Sequence, residues 1–163
     1  MKEYVLKQDA KRIRPLLVME WCQIAGGDVK KAVNLALAVE LLHNASLVYD
    51  DSPCMDNEDE RHGVESCHKK FGFAKTLLLG VALLSDANKL VMQSGLSEEK
   101  IVQILEILEN AVTQTVEGQY MEFDDETEPV YLLIDIQKTS PLFEAACQIG
   151  VIAADEYNED VLY

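Results

Sequence analysis

The chain has 163 residues, 48% of them hydrophobic, and its 29 acidic against 14 basic side chains leave a net charge of -15. That length and apolar fraction predict one globular domain, residues 1–163, with a sizeable core, and argue against a disordered or fibrous chain. So large an acidic surplus disfavours nucleic acid and anionic membrane surfaces as partners. No run of 18 apolar residues is free of charge, so no membrane span is expected. Cys22, Cys54, Cys67 and Cys147 form no CxxC pair and follow no signal-like segment, which predicts reduced thiols in a cytoplasm.

In chain order the pattern gives helix after helix. A polar lead, MKEYVLKQDAKRIRP, ends at Pro15, which suits the first turn of a helix running through LLVMEWCQIAG to the stop at Gly26 and Gly27. Lys11, Arg12 and Arg14 therefore stand at a helix N-terminus, where free backbone N–H groups also favour anions. Asp28 is placed to cap a second helix, VKKAVNLALAVELLHNASLVYDD, apolar on most sides. That helix delivers Asp50 and Asp51 at its C-terminal end, and His43, close to two turns earlier, faces the same way.

An acidic loop follows, then a polar connection, ESCHKKFG. AKTLLLGVALLSDANKLVMQSG reads as a largely buried helix, and Ser97 is placed to cap the next one, with Glu98 and Glu99 in its first turn. Gln119 and Glu122 lie three apart on one face near the end of that helix, a pair that alone reads as surface. After a loop at DDETEP, VYLLIDIQ and PLFEAACQIGVIAA predict two helices meeting at KTSP, with Pro141 starting the last one. No strand alternation and no repeat period appears, so the fold class is all-α.

The stretch with most chemistry is DDSPCMDNEDERHG, Asp50 to Gly63. Crowded carboxylates repel one another unless cations sit among them, and Mg2+ is commonly held by one or two carboxylates together with substrate phosphates. A solvated acidic loop is the bland alternative. Cys54, His62, Cys67 and His68 could be gathered into a zinc site, but their spacing fits no common zinc module.

KRIRP at Lys11 to Pro15, His43 before SLVYDDSPCMDNEDERHG, HKKFG at His68 to Gly72, EGQ at Glu117 to Gln119, and KTSPLF at Lys138 to Phe143 stand in a fixed order. In that order and spacing the chain resembles the trans-isoprenyl diphosphate synthases, head-to-tail prenyltransferases making geranyl, farnesyl and geranylgeranyl diphosphates. The resemblance implies a helical bundle, the isoprenoid synthase fold, around a deep apolar cavity. It implies that Asp50, Asp51 and Asp56 bind Mg2+ bridging to an allylic diphosphate, with Arg61 and Lys138 pairing the diphosphate oxygens. Lys11, Arg14 and His43 match positions holding isopentenyl diphosphate, and Thr139 and Gln119 match polar positions near the reacting allylic group.

Three departures qualify the match. Family members run to about twice this length and carry a second aspartate-rich motif, which Asp124 and Asp125 do not replace. The usual arginine pair is Arg61 and His62, so the isopentenyl diphosphate site is expected to bind weakly or with pH dependence. The usual glycine–aspartate pair is Gly80 and Val81. The expectation is therefore the N-terminal half of a split prenyltransferase, its initial methionine a genuine start, completed by a second chain carrying the C-terminal half. The alternative is a non-catalytic regulatory subunit of such a synthase. Ala45 and Ser46, about one turn before Asp50, leave the tunnel open at that depth, and the four-residue spacer inside DDSPCMD points to a C15 to C20 product.

Overall fold

A computed structural model describes residues 1–6, 10–124 and 128–154. Tyr163 and Asp125 lie outside the described residues, as does part of the predicted DDETEP loop. The elements are α1 (Lys2–Leu6), α2 (Ile13–Ile24), α3 (Val29–Asp50), β1 (Glu60–Arg61), β2 (Val64–Glu65), α4 (Cys67–Phe71), α5 (Phe73–Met92), α6 (Glu98–Asp124) and α7 (Glu128–Ala153). The all-α expectation holds, and the only strands among the described residues are the two-residue β1 and β2.

Local signals fix several helix ends as expected. Asp28 caps α3, its carboxylate accepting from the Lys30 N–H at 3.0 Å, and the Ser97 hydroxyl accepts from the Lys100 N–H at 3.4 Å ahead of the first turn of α6. α3 is the centre of the bundle: α2, α5 and α7 all pack on it, and α6 packs mainly on α7. Leu35, Val39, Leu83, Val91, Ile104, Leu108 and Ile149 are fully enclosed between these helices. By length and composition α3 is apolar enough to cross a membrane, yet 61% of its most apolar window is buried inside the bundle, as a core helix requires.

Four features depart from the sequence-based expectation. KTSP is not a junction between helices: α7 runs unbroken from Glu128 to Ala153 with Pro141 inside it. Pro141 removes one helical hydrogen bond, which packing against α2, α3 and α6 offsets. Next, the polar connection contains a helical turn, α4, whose Phe71 stacks edge-on against Tyr4 of α1, ring centroids 5.3 Å apart.

The end of the acidic run is not a plain loop either. β1 and β2 pair antiparallel, Glu60 opposite Glu65 and Arg61 opposite Val64. The connecting His62 and Gly63 have φ of 53° and 76°, the left-handed pair that a two-residue hairpin turn demands. Finally, α5 is buried on one side only, through Thr76, Leu79, Gly80, Leu83, Ala87 and Val91. Leu78 and Val81 are 70% and 59% exposed, because α3 is its main cover.

Candidate active site

A cavity of about 450 Å³ opens between α3, α5, α6 and α7. Its wall is apolar, with Leu42 from α3, Leu77 and Leu84 from α5, Val112 and Val116 from α6, and Leu142 from α7. Polar groups are confined to a few side chains, among them Arg14, His43, Asp50, Gln119 and Lys138, all five singled out in the sequence. Long apolar walls with a few convergent polar groups are the usual build of a small-molecule site.

The two-turn spacing on α3 does place His43 and Asp50 on one wall. Arg14 reaches His43 from α2, its Nη1 donating to His43 Nε2 at 3.2 Å. Arginine can only donate, so Nε2 is the accepting nitrogen and the ring proton sits on Nδ1. The guanidinium also lies 4.2 Å above the centre of the Phe143 ring. Its buried Nε has no protein partner. Burial lowers the Arg14 pKa, and burial together with Arg14, His62, Arg12 and Arg61 pushes His43 down to about 4. The site therefore holds a neutral imidazole beside a fixed guanidinium.

Asp50 is pushed up to about 6, first by burial, against the pull of Lys138 and with the push of Asp56 and Asp51. The turn after α3 folds back so that the Asp56 N–H donates to the Asp50 carbonyl at 2.9 Å, while the Asp56 side chain is exposed. Asp51 is almost fully buried and faces Arg61, which donates to Asp51 Oδ1 through Nε at 2.9 Å and also through Nη2. That bond raises the Arg61 pKa. The hairpin thus turns Arg61 back onto the carboxylate ten residues before it.

On the far wall, Lys138 Nζ donates to Glu122 Oε2 at 2.7 Å, and Gln119 Nε2 donates to the same oxygen at 2.7 Å. The Gln119 Oε1 is buried without a protein partner. Lys11, His62 and Thr139 are exposed and do not line the cavity, although His62 is near enough to act on His43. Arg12 leaves its triplet altogether: with φ of 53° it turns inward and pairs with the buried Glu40. Among the described residues no three His, Cys, Asp or Glu side chains converge as a ready metal cluster.

Sequence reasoning missed Tyr49, Cys54, Met55, Thr115, Tyr120 and Phe123, which also line the cavity. Thr115 lies one helical turn before Gln119 and was findable by that spacing; Tyr49 carried no signal of its own. Ser46 lines the cavity as expected, whereas Ala45 turns into the core.

The profile of the Polyprenyl synthetase family matches residues 1–162. Over 97% of this chain, geranylgeranyl pyrophosphate synthase 3, chloroplastic, of Arabidopsis thaliana is 38% identical, and the match covers 47% of that protein. The heterodimeric geranylgeranyl pyrophosphate synthase large subunit 2 of the same plant is 34% identical over 97% of this chain and 44% of its own length. The crystal structure of a geranyltransferase from Legionella pneumophila superposes with a TM-score of 0.89 at 32% identity, covering 98% of this chain and 59% of that one. The chain spans about half the length of the curated relatives it matches. Its all-helical bundle is that of the isoprenoid synthases, and the chain belongs to the polyprenyl synthetase family.

Proposed function

We propose that this chain supplies the first aspartate-rich half of a prenyltransferase condensing isopentenyl diphosphate with an allylic diphosphate to a C15 to C20 product. A second chain carrying the C-terminal half and the second aspartate motif completes the site. The observation that supports this is the cavity itself: an apolar chamber with Asp50, Arg14, His43, Gln119 and Lys138 among the few polar groups on its wall. A prenyl tail fits the apolar chamber and a diphosphate fits the cationic groups. Leu78 and Val81 on α5, with Val116, Tyr120 and Phe123 on α6, are large apolar side chains left exposed, as a surface covered by a partner chain would be. A reducing cytoplasm suits the free Cys22, Cys54, Cys67 and Cys147.

The donor set suits a hard cation. Asp50 is half-buried and, after burial itself, Asp56 and Asp51 raise its pKa; all three are oxygen ligands, so a cation there would offset the cost of the Asp50 charge. Bound Mg2+ would supply charge compensation as the allylic C–O bond ionises. The chain's own residues do the rest. Arg61 and Lys138 meet the diphosphate oxygens, and Asp50, Asp51 and Asp56 are the residues that would hold the cation. Arg14 and the neutral His43 donate to the second diphosphate, and the apolar wall keeps water from the carbocation. The last proton leaves to the released diphosphate, so no protein nucleophile is required.

One observation favours a second reading, a non-catalytic subunit: Asp51 is held by Arg61 and Asp56 faces solvent, so the three aspartates do not converge. The test is to purify the chain alone and together with a chain bearing the second aspartate motif. Each preparation is assayed with isopentenyl diphosphate, an allylic diphosphate and Mg2+. Product only from the pair supports the split enzyme; product from the chain alone overturns it, and a bound but inactive pair favours the second reading.

A further inference from the structure

Glu122 is the acid on the cavity's far side that the sequence leaves on an ordinary surface, and its surroundings are not those of a surface residue. One oxygen, Oε2, accepts from both Lys138 Nζ and Gln119 Nε2, each at 2.7 Å. The two donors come from different helices, α6 and α7, and both line the cavity. The bond to Gln119 fixes the amide so that its Oε1, buried and without a protein partner, is left free.

The reach between the helices depends on Gly118. A Cβ there would fall 2.9 Å from Gln137 Cβ and 3.1 Å from the Lys138 backbone nitrogen, so no larger residue allows α6 this close to α7. Gly118 sets the spacing, and at that spacing the Lys138 ammonium meets Glu122. A lysine side chain is otherwise one of the most mobile in a protein, and a point charge that must find its partner afresh. Tethering it beforehand reduces the ordering that ligand capture requires.

We infer that Glu122 is a positioning residue, orienting the Lys138 ammonium and the Gln119 amide as one unit for a bound diphosphate; this rests on the diphosphate reading above. Its role is that of a shared acceptor rather than of a charge. A carboxylate beside an anion site would by charge alone repel the ligand, so what it contributes is geometry.

The test is calorimetric titration of the whole chain with inorganic pyrophosphate in the presence of Mg2+, on wild type, Glu122→Gln, Glu122→Leu and Lys138→Met. Circular dichroism melts confirm that each variant folds. Glu122→Gln keeps an amide oxygen where Oε2 stands and is expected within about threefold of wild type. Glu122→Leu removes the acceptor and is expected to bind roughly tenfold more weakly, close to Lys138→Met. In the same samples the Gln119 side-chain amide resonance moves in Glu122→Leu and holds in Glu122→Gln. A folded Glu122→Leu that binds like wild type overturns the inference, as does a Glu122→Gln as weak as Glu122→Leu, which assigns the effect to charge. Absence of pyrophosphate binding by wild type is a separate result: it removes the diphosphate reading and this inference together.

Discussion

The ring of Tyr49 occupies the space that a side chain at Gly80 would need: a Cβ there would lie 2.3 Å from Tyr49 Cζ and 2.6 Å from its hydroxyl. α3 and α5 therefore approach through a glycine, and Tyr49 lines the cavity beside Asp50. Gly80→Ala must push either the helix or the ring. It is expected to destabilise the chain by about 1–3 kcal/mol in urea unfolding, although alanine is the better helix former. Tyr49→Phe, with the same volume, is expected to stay within about 0.5 kcal/mol of wild type.

His43 gives the fold a pH dependence with a definite sign. Its folded pKa of about 4 lies below the ordinary 6.5, mainly through burial and then through Arg14, His62, Arg12 and Arg61. The unfolded chain takes up the proton first as pH falls. His43's share of stability is thus present above pH 6.5 and is lost as pH drops towards 4. The loss amounts to about 3 kcal/mol at most. His43→Gln is expected to flatten the urea-midpoint profile across that window; an unchanged profile would show that His43 is not the titrating group.

Arg12 and Arg14 are two residues apart and divide the work. Arg12 pairs with Glu40, which is 5% exposed and also accepts from Asn44 Nδ2 at 2.9 Å. Arg12→Ala leaves a buried carboxylate unpaired and is expected to cost about 3 kcal/mol or more, with much of it recovered in Arg12→Met/Glu40→Met. Arg14→Ala is expected to affect stability less and ligand affinity more. Melting curves of the three variants, set beside pyrophosphate titrations, separate the two roles.

Magnesium and pyrophosphate together are expected to raise the melting temperature, by up to about 2.7 kcal/mol of stabilisation at a hundredfold excess over Kd. Neither alone should do as much, because each compensates the other's charge at Asp50, Lys138 and Arg61. Asp50→Asn is expected to abolish the joint effect while leaving the helical signal intact. A full joint effect in Asp50→Asn would remove this residue from the metal site.

What was legible in the sequence was what short-range chemistry decides. Asp28 and Ser97 cap because a side-chain oxygen needs only N–H groups two or three residues away. His43 and Asp50 share a wall because helical pitch puts them there. Pro141 was misread because a proline's cost inside a helix is local, whereas its tolerance comes from the helices packed around α7. Glu122 reads as surface for the same reason: its spacing to Gln119 is local, whereas its Lys138 partner is sixteen positions away and comes within reach because Gly118 lets two helices close together. The Arg12 and Arg14 split hinged on one left-handed backbone angle, which no periodicity reports.

The burial of α3 also has a consequence in time. The helix is the most membrane-like stretch among the described residues, yet the elements that cover much of it, α5 and α7, are encoded after it. Among the described elements that pack on α3, α2 is the one encoded before it, and much of the apolar surface of α3 is covered by α5 and then by α7, which begins at Glu128. Until then the nascent chain displays apolar surface of the kind that chaperones bind. A delay in synthesis between Asp50 and Glu128 would prolong that exposure and favour aggregation.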